Sequence, residues 1–459
     1  MDYEHDLERY TWIIVCSSML ALFASFGIGA NDAANSLSSS VGSGALSMRY
    51  AVLMASICEF IGALFMSSQV VKTIRKGIAD YECFEDQPEL LMYGCMCVIG
   101  SVGSWLLLAS KYELPVSTTH SVVGGMIGMT LVSVGSDCVI WDAPSDEFPY
   151  RTGVSAIVLS WIISPVLSGI CSSFLFWCLR TFCLRQEKSD DIVWKIYPLL
   201  TFVVMTINTF FLLWKGVDVD ITTETKSLIS VGSGGCFALL SLPVINMLRS
   251  RVEHMTNEIQ SLDTIIENDS DVKNVHENTE RFAVKTENAL TPLQICTAAF
   301  DALAHGSNDV ANSIGPFAAV YMIYKENGVQ KTNDLGDDAY WIFAIGGVGI
   351  ALGIAIYGYK IIEAIGMKLA KITPSRGLCI EMGSTIVVIC GSHFGWPLST
   401  THCQVGSTTA VALVDGKRSI NLNILYKTMF GWIITLLVVG LTSGLLTAQG
   451  IYSPEKVET

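Results

Sequence analysis

Apolar stretches recur along the chain between short polar breaks, and about 20 apolar residues in a helix span the hydrocarbon core of a bilayer. They fall near residues 11–30, 50–69, 90–110, 119–140, 154–179, 198–214, 228–248, 293–308, 339–359, 378–394, 401–414 and 424–448. This pattern predicts an all-α polytopic membrane protein of about 12 spans. The segment 251–289 is polar, acidic and poor in aromatics, and reads as a linker, part of it helical. The chain thus divides into an N-terminal transmembrane region, 1–250, the linker, and a C-terminal transmembrane region, 290–459. Ahead of the first stretch Asp2, Glu4, Asp6 and Glu8 outnumber Arg9. A cleavable signal needs a basic leader, so the first span is expected to be retained.

Lysine and arginine in short loops set orientation. Arg180, Arg185, Lys188 and Lys195 mark one cytoplasmic loop, Lys360, Lys368, Lys371 and Arg376 a second, and Lys417 with Arg418 a third. The stretch from Asp142 to Pro149 has no basic residue and reads as external. Counting spans then places both termini outside and the linker in the cytoplasm. Lys72, Arg75 and Lys76 fall outside by the same count, outvoted by the three loops.

Composition narrows the class. Of 459 residues, 51% are hydrophobic and 15% charged, with a mean hydropathy of +0.48. Soluble domains carry roughly 25% charged residues, so an ordinary soluble enzyme is disfavoured. The net charge of −14, with no basic face, argues against a nucleic-acid partner. The 14 cysteines include no CxxC pair, and most sit in apolar stretches as small filler. Cys83 and Cys138 both fall outside by the span count, which permits a disulfide between them without requiring one.

Two polar strings occur twice. Gly29-Ala30-Asn31-Asp32-Ala33-Ala34-Asn35-Ser36 interrupts the first span, and Gly306-Ser307-Asn308-Asp309-Val310-Ala311-Asn312-Ser313 the eighth, offset by 277. Pro115-Val116-Ser117-Thr118-Thr119-His120 returns as Pro397-Leu398-Ser399-Thr400-Thr401-His402, offset by 282. Two motifs in one order at nearly one spacing indicate an internal duplication. Seven spans separate the copies, and an odd number turns the second upside down. Inverted repeats of this kind belong to secondary transporters, with the site near the bilayer midplane.

An aspartate at mid-bilayer costs about 2.5–3.5 kcal/mol on insertion scales, so Asp32 and Asp309 mark function. Helical spacing clusters Asp32 with Asn35 and Ser36 beside Asn31, and Asn308, Asp309 and Asn312 repeat the set. Gly29 and Gly306 would let the helix unwind and free carbonyls. Those carbonyls, with carboxylate and amide oxygens, suit a small hard cation. The Pro-x-Ser-Thr-Thr-His strings read as helix starts inside the membrane, with free N–H groups and hydroxyls for an anion. Co-bound cations would offset the cost of carrying an anion into a negative-inside cell, about 2.3 kcal/mol per charge per 100 mV. An acidic acceptor also favours hydrogen phosphate over sulfate, which has no proton to donate.

On these residues, Gly29–Ser36, Gly306–Pro316 and the two Ser-Thr-Thr-His strings, the chain resembles the inorganic phosphate transporter family, the sodium- or proton-coupled phosphate permeases. The resemblance covers nearly everything except the linker. It implies a fold of twelve spans with inverted repeats and symport of phosphate with cations. It also implies roles for Asp32, Asn35, Asp309 and Asn312, and phosphate contacts from Ser117, Thr118, Thr119, Ser399, Thr400 and Thr401. Glu59 and Glu381 match family glutamates and are candidates for ion coupling or structural pairing. Some animal members carry a glutamate where Cys95 stands. His120, His305 and His402 adjoin the motifs as hydrogen-bond donors or packing residues; His393 reads as packing, and Trp105, Trp161, Trp341 and Trp432 as span or interface residues.

The expected protein is therefore an importer of inorganic phosphate by symport, with Na⁺ favoured over H⁺, in the plasma membrane and without a cofactor. Competing readings are an intramembrane hydrolase built on Ser117, His120 and Asp32, a passive channel, and a phosphate-sensing receptor. Oligomeric state, a homodimer included, is left open by the sequence.

Overall fold

The computed structural model describes residues 7–146, 150–216, 221–253, 269–329, 335–336, 339–396 and 398–453. Helices dominate. The first half contains α1 (Thr11–Asn31), α2 (Ala33–Gly42), α3 (Met48–Met66), α4 (Ser68–Lys76), α5 (Pro88–Lys111), α6 (Thr118–Ser133) and α7 (Val154–Leu179). Next come α8 (Ser189–Phe211), α9 (Thr223–Glu253) and the short α10 (Ser270–Asn278). The second half contains α11 (Val284–Asp309), α12 (Ala311–Lys325), α13 (Ala339–Gly353), α14 (Tyr359–Lys368), α15 (Pro374–His393), α16 (Thr400–Asp415) and α17 (Leu422–Tyr452). A two-residue hairpin pairs Ala143 with Thr152 and Pro144 with Arg151 ahead of α7.

Polarity is inverted relative to a soluble protein. Leu159, Ile162, Val166, Ile170 and Phe174 project outward from α7, as do Tyr426, Phe430, Ile433, Leu437 and Leu441 from α17. Asp32, Glu59, Asp301, His305, Asp309, Arg376 and Glu381 are buried instead. Apolar ridges of this extent are stable against lipid tails and not against water. The molecule is an all-α polytopic membrane protein.

Eight helical segments among the described residues have the length and apolarity of a membrane crossing: Glu8–Gly42, Met48–Met66, Pro88–Lys111, Val154–Leu184, Ser189–Trp214, Thr223–Val252, Tyr340–Gly358 and Leu422–Tyr452. The other four expected stretches depart for two physical reasons. Helices α6 and α16 have 16 residues each, about 24 Å at 1.5 Å per residue, short of a core about 30 Å thick. Helices α11 and α15 carry buried charged groups, Glu287, Asp301 and Asp309 on one, Arg376 and Glu381 on the other. Helix α11 also begins at Val284, inside the stretch read as linker.

The two halves pack alike and interlock. Helix α1 lies against α5 as α11 lies against α15. Across the halves, α1 packs on α13 as α11 packs on α3, and α6 on α17 as α16 on α7. Small residues allow these close crossings. A Cβ on Gly124 would sit 2.5 Å from the Leu436 carbonyl oxygen, and one on Gly406 2.4 Å from that of Pro165.

Each half also ties the loop before its long helix to the loop after its short one. In the first half the tie is a disulfide between Cys83 and Cys138, beside a hydrogen bond from Asp80 N to Cys138 O of 2.8 Å. In the second, Asn421 N donates to Leu369 O at 2.9 Å. There Arg376 donates to Asp415 Oδ2 through Nε (2.9 Å) and Nη2 (2.7 Å). Arg376 is 1% exposed and lies over the rings of Phe176 and Phe282. It is thus a buried, paired cation and not the free loop charge that the sequence suggested. Glu280, ahead of α11, pairs with Arg180 and Arg185.

Candidate functional site

The site forms where α1 meets α2 and α11 meets α12, facing the starts of α6 and α16. Each half-helix starts as its sequence dictates. Ser117 caps α6 by accepting from His120 N at 3.4 Å, and Ser399 caps α16 by accepting from His402 N at 3.3 Å. The two caps meet: Ser117 Oγ and Ser399 Oγ are 2.9 Å apart. Helix starts from both halves therefore converge on one point inside the protein.

The aspartates bind these starts crosswise. Asp32 Oδ2 accepts from Thr118 Oγ1 at 2.7 Å and from Thr118 N at 3.3 Å. Its Oδ1 accepts from Thr401 Oγ1, of the other half, at 2.5 Å. Asp309 Oδ2 accepts from Thr400 Oγ1. Asn312 Nδ2 donates to Thr118 Oγ1 at 2.8 Å and lies 3.4 Å from Thr119 Oγ1 and from Asp309 Oδ1. Thr119 Oγ1 donates to Leu398 O at 3.1 Å. Asn35 lies on α2, and its side chain is outside the described residues, as is Pro397.

His305 joins the aspartates. Its Nε2 lies 2.9 Å from Asp309 Oδ2 and 4.0 Å from Asp32 Oδ1, and its Nδ1 is 2.9 Å from the Glu59 carboxylate. One ligand atom each from Asp32, His305 and Asp309 fall within 4.8 Å of one another, a geometry that could hold a cation. Glu381 lies elsewhere, among hydroxyl and amide donors. Ser39 (2.6 Å), Ser40 (2.8 Å), Thr297 (2.5 Å) and Gln294 (3.2 Å) all donate to it.

The two asparagines that open the motifs differ. Asn31 Nδ2 donates to Ser110 Oγ (3.1 Å) and Leu114 O (2.9 Å), and its Oδ1 accepts from Val116 N (3.0 Å). Its amide thus holds the loop before α6. Neither amide atom of the buried Asn308 has a hydrogen-bond partner among the described residues.

The expected helix break is present at each motif and is one residue long. A single residue separates α1 from α2 and α11 from α12, and Asp32 N still donates to Ile28 O at 2.8 Å. The glycines serve close approach. A Cβ on Gly29 would lie 2.0 Å from Ile350 O, and one on Gly306 2.3 Å from Glu59 O.

Other histidines pack behind the starts. His120 stacks on Trp161 at 3.6 Å, His402 on Trp432 at 3.7 Å, and His402 Nδ1 lies 2.9 Å from Trp161 O. His393 stacks on Trp214 at 3.8 Å. Trp161 and Trp432 are thus packing partners of the site. Sequence reasoning did not single out Asp301, Gln294, Thr297, Ser39, Ser40 or Gln404. A signal for Asp301 existed: Asp301, His305 and Asp309 are spaced by four on α11, a single helical stripe.

Buried carboxylates and paired helix starts at the junction of interlocked membrane halves define a protein of the membrane-transporter class. The phosphate transporter family model matches residues 28–443, and the chain belongs to that family. It is 35% identical over 443 residues to a Pyrococcus abyssi protein named "Putative phosphate permease PYRAB14010", covering 96% of this chain and 98% of that one. It is 30% identical to the inorganic phosphate transporter 2-1, chloroplastic, of Arabidopsis thaliana, covering 91% of this chain and 69% of the relative. Among solved structures it resembles a sodium-dependent phosphate transporter, with a TM-score of 0.79 and 30% identity over 95% of this chain and 98% of the other.

Proposed function

We propose that the protein imports inorganic phosphate by symport with Na⁺, by alternating access about the site between the half-helix starts. Phosphate transport comes with the family. The observation that carries the coupled mechanism is the crossed arrangement: Asp32 of one motif accepts from Thr118 and Thr401, one from each half. A group held by both halves changes its surroundings when either half rocks, which alternating access requires.

In this reading Ser117, Thr118, Thr119, Ser399, Thr400 and Thr401 supply hydroxyl and N–H donors to the oxyanion, aided by Asn35 and Asn312. Asp32 and Asp309, with Asn308, hold the cation, and Asn31 fixes the loop before α6. Glu59 couples through His305, and Glu381 supports α15. The two regions, 1–250 and 290–459, are inverted repeats joined by a cytoplasmic linker, with twelve spans, both termini outside, in the plasma membrane. Sodium is favoured by the oxygen-rich ligands and by the sodium-dependent neighbour, 30% identical.

A hydrolase reading is weaker. Ser117 Oγ meets Ser399 Oγ and caps α6, while the His120 ring stacks on Trp161. Ser117 and His120 thus do not form a nucleophile–base pair among the described residues.

Purified protein in liposomes tests the proposal. Labelled phosphate is expected to accumulate above the outside concentration under an inward sodium gradient, weakly under a proton gradient, and not without either. Equilibration without accumulation would indicate a channel. Saturable binding without flux would indicate a receptor, and equal uptake of sulfate would remove the selectivity argument.

A further inference from the structure

The stripe on α11 contains one carboxylate that the site above does not use. Asp301 is 4% exposed. Its Oδ1 accepts from Thr385 Oγ1 at 3.0 Å, and its Oδ2 has no hydrogen-bond partner among the described residues. Gln404, at the start of the second turn of α16, is 3% exposed, and both of its amide atoms lack partners among the described residues. Both residues line one small cavity of about 10 Å³, whose wall also includes Ser36, His305, Ser384, Val388 and Thr400.

A bare carboxylate oxygen and a bare amide oxygen facing one cavity are costly in a buried setting unless a ligand meets them. The duplicated sequence shows that the fold does not need polar groups there. At the motif offsets, Ala24 is the twin of Asp301 and Val122 the twin of Gln404. Both twins are fully buried in the core. The same architecture closes with two apolar residues in one half and keeps two unsatisfied polar ones in the other.

Oxygen ligands with a single formal negative charge suit a hard monovalent cation better than a divalent one. We propose that Asp301 Oδ2 and Gln404 Oε1, with hydroxyls of Ser36, Ser384 and Thr400, bind one sodium ion in the second half only. This site adjoins the cluster of Asp32, His305 and Asp309, with the His305 side chain in the wall between them, and it rests on the sodium-symport reading. Its link to the substrate runs through Thr400, which lines the cavity and donates to Asp309. An ion there would lie against a residue of the phosphate-binding helix start.

The test is binding of radiolabelled sodium to the purified full chain without phosphate, together with the sodium dependence of phosphate uptake in liposomes. The double variant Asp301→Ala, Gln404→Val copies the pair that the other half already packs. It is expected to bind one sodium ion fewer per chain, to raise the half-activating sodium concentration about tenfold or more, and to lower the Hill coefficient. Gln404→Glu, nearly isosteric, guards against a folding failure. It places a second carboxylate in the cavity and is expected to let calcium compete with labelled sodium. An unchanged sodium count and activation curve in the double variant would overturn the site, as would Gln404→Glu binding sodium and calcium as the parent does. If the parent chain itself accumulates no phosphate under a sodium gradient, the symport reading fails, and this site with it.

Discussion

The two copies of the duplicated motif bind their surroundings differently. Around Asp32 the neighbouring positions are apolar: Ala24 and Ile28 precede it on α1, and Ile350 faces Gly29 across the crossing. Around Asp309 the matching positions are Asp301, His305 and Glu59. The first copy therefore presents a carboxylate to the threonines of both half-helices, with His305 of the other half 4.0 Å away. The second presents a carboxylate at the end of a buried chain of ionisable groups. The duplicated backbone supplies two matching helix starts, and side-chain divergence places the ionisable network at one crossing, where Glu59 of the first half meets His305 and Asp309 of the second.

The largest expected effect bears on what the copies share. Asp32→Asn and Asp309→Asn should each reduce phosphate uptake in liposomes to background while the protein still inserts and elutes as one species. Retained uptake in both would remove their role as cation holders.

A sharper test exchanges the copies where they differ. His305→Ile gives α11 the residue of its twin and leaves the Glu59 and Asp309 carboxylates buried without the ring between them. Breaking a buried pair in this way costs about 3–5 kcal/mol, read as a fall in thermal stability of the purified protein. The reverse change, Ile28→His, lacks a facing glutamate because Ile350 occupies that place, and it should destabilise without restoring transport to the His305→Ile protein.

The asparagines give a smaller effect of opposite kind. Asn31→Ala removes two hydrogen bonds to the loop before α6 and one to Ser110 at the end of α5, and should cost about 2–3 kcal/mol of stability at roughly 1 kcal/mol per bond. Asn308→Ala should leave thermal stability nearly unchanged and instead weaken the apparent affinity for sodium or phosphate. Equal stability losses would erase the distinction.

The smallest effect lies at the linker. Hydrogen bonds from Arg185 hold the Glu280 carboxyl below the usual carboxylate range, with Arg180 and Arg376 adding to the effect. A lowered folded-state pKa stabilises above the unfolded pKa, and that contribution is lost as pH falls through the folded value. Glu280→Gln should therefore cost at most about 1 kcal/mol at neutral pH, as partly exposed pairs do. The difference from the parent should vanish in acid, a result that thermal unfolding at two pH values can check.

Much of the site was legible because its chemistry is local. Ser117 and Ser399 cap the helices that their sequence announces, since capping depends on residues within one turn. Asp32 and Asp309 stood out because a carboxylate in an apolar run is rare. Asp301 stood in an apolar run too, but it lies outside both repeated strings. Gln404 is uncharged and carries no such signal. The disulfide was permitted by topology and decided by the approach of two loops. Arg376 looked like a loop charge because burial against Asp415, Phe176 and Phe282 involves partners distant in the chain.

The sequence by itself determined that this is an all-α membrane protein built on a repeated pair of polar motifs, because hydropathy, capping and repetition are written in neighbouring residues. Only the tertiary structure decided that the motifs meet crosswise, that Asn31 is occupied where Asn308 is free among the described residues, and that Glu59 of the first half joins His305 and Asp309 of the second. Those outcomes depend on which helices touch, and helix contacts are set by packing between residues hundreds of positions apart.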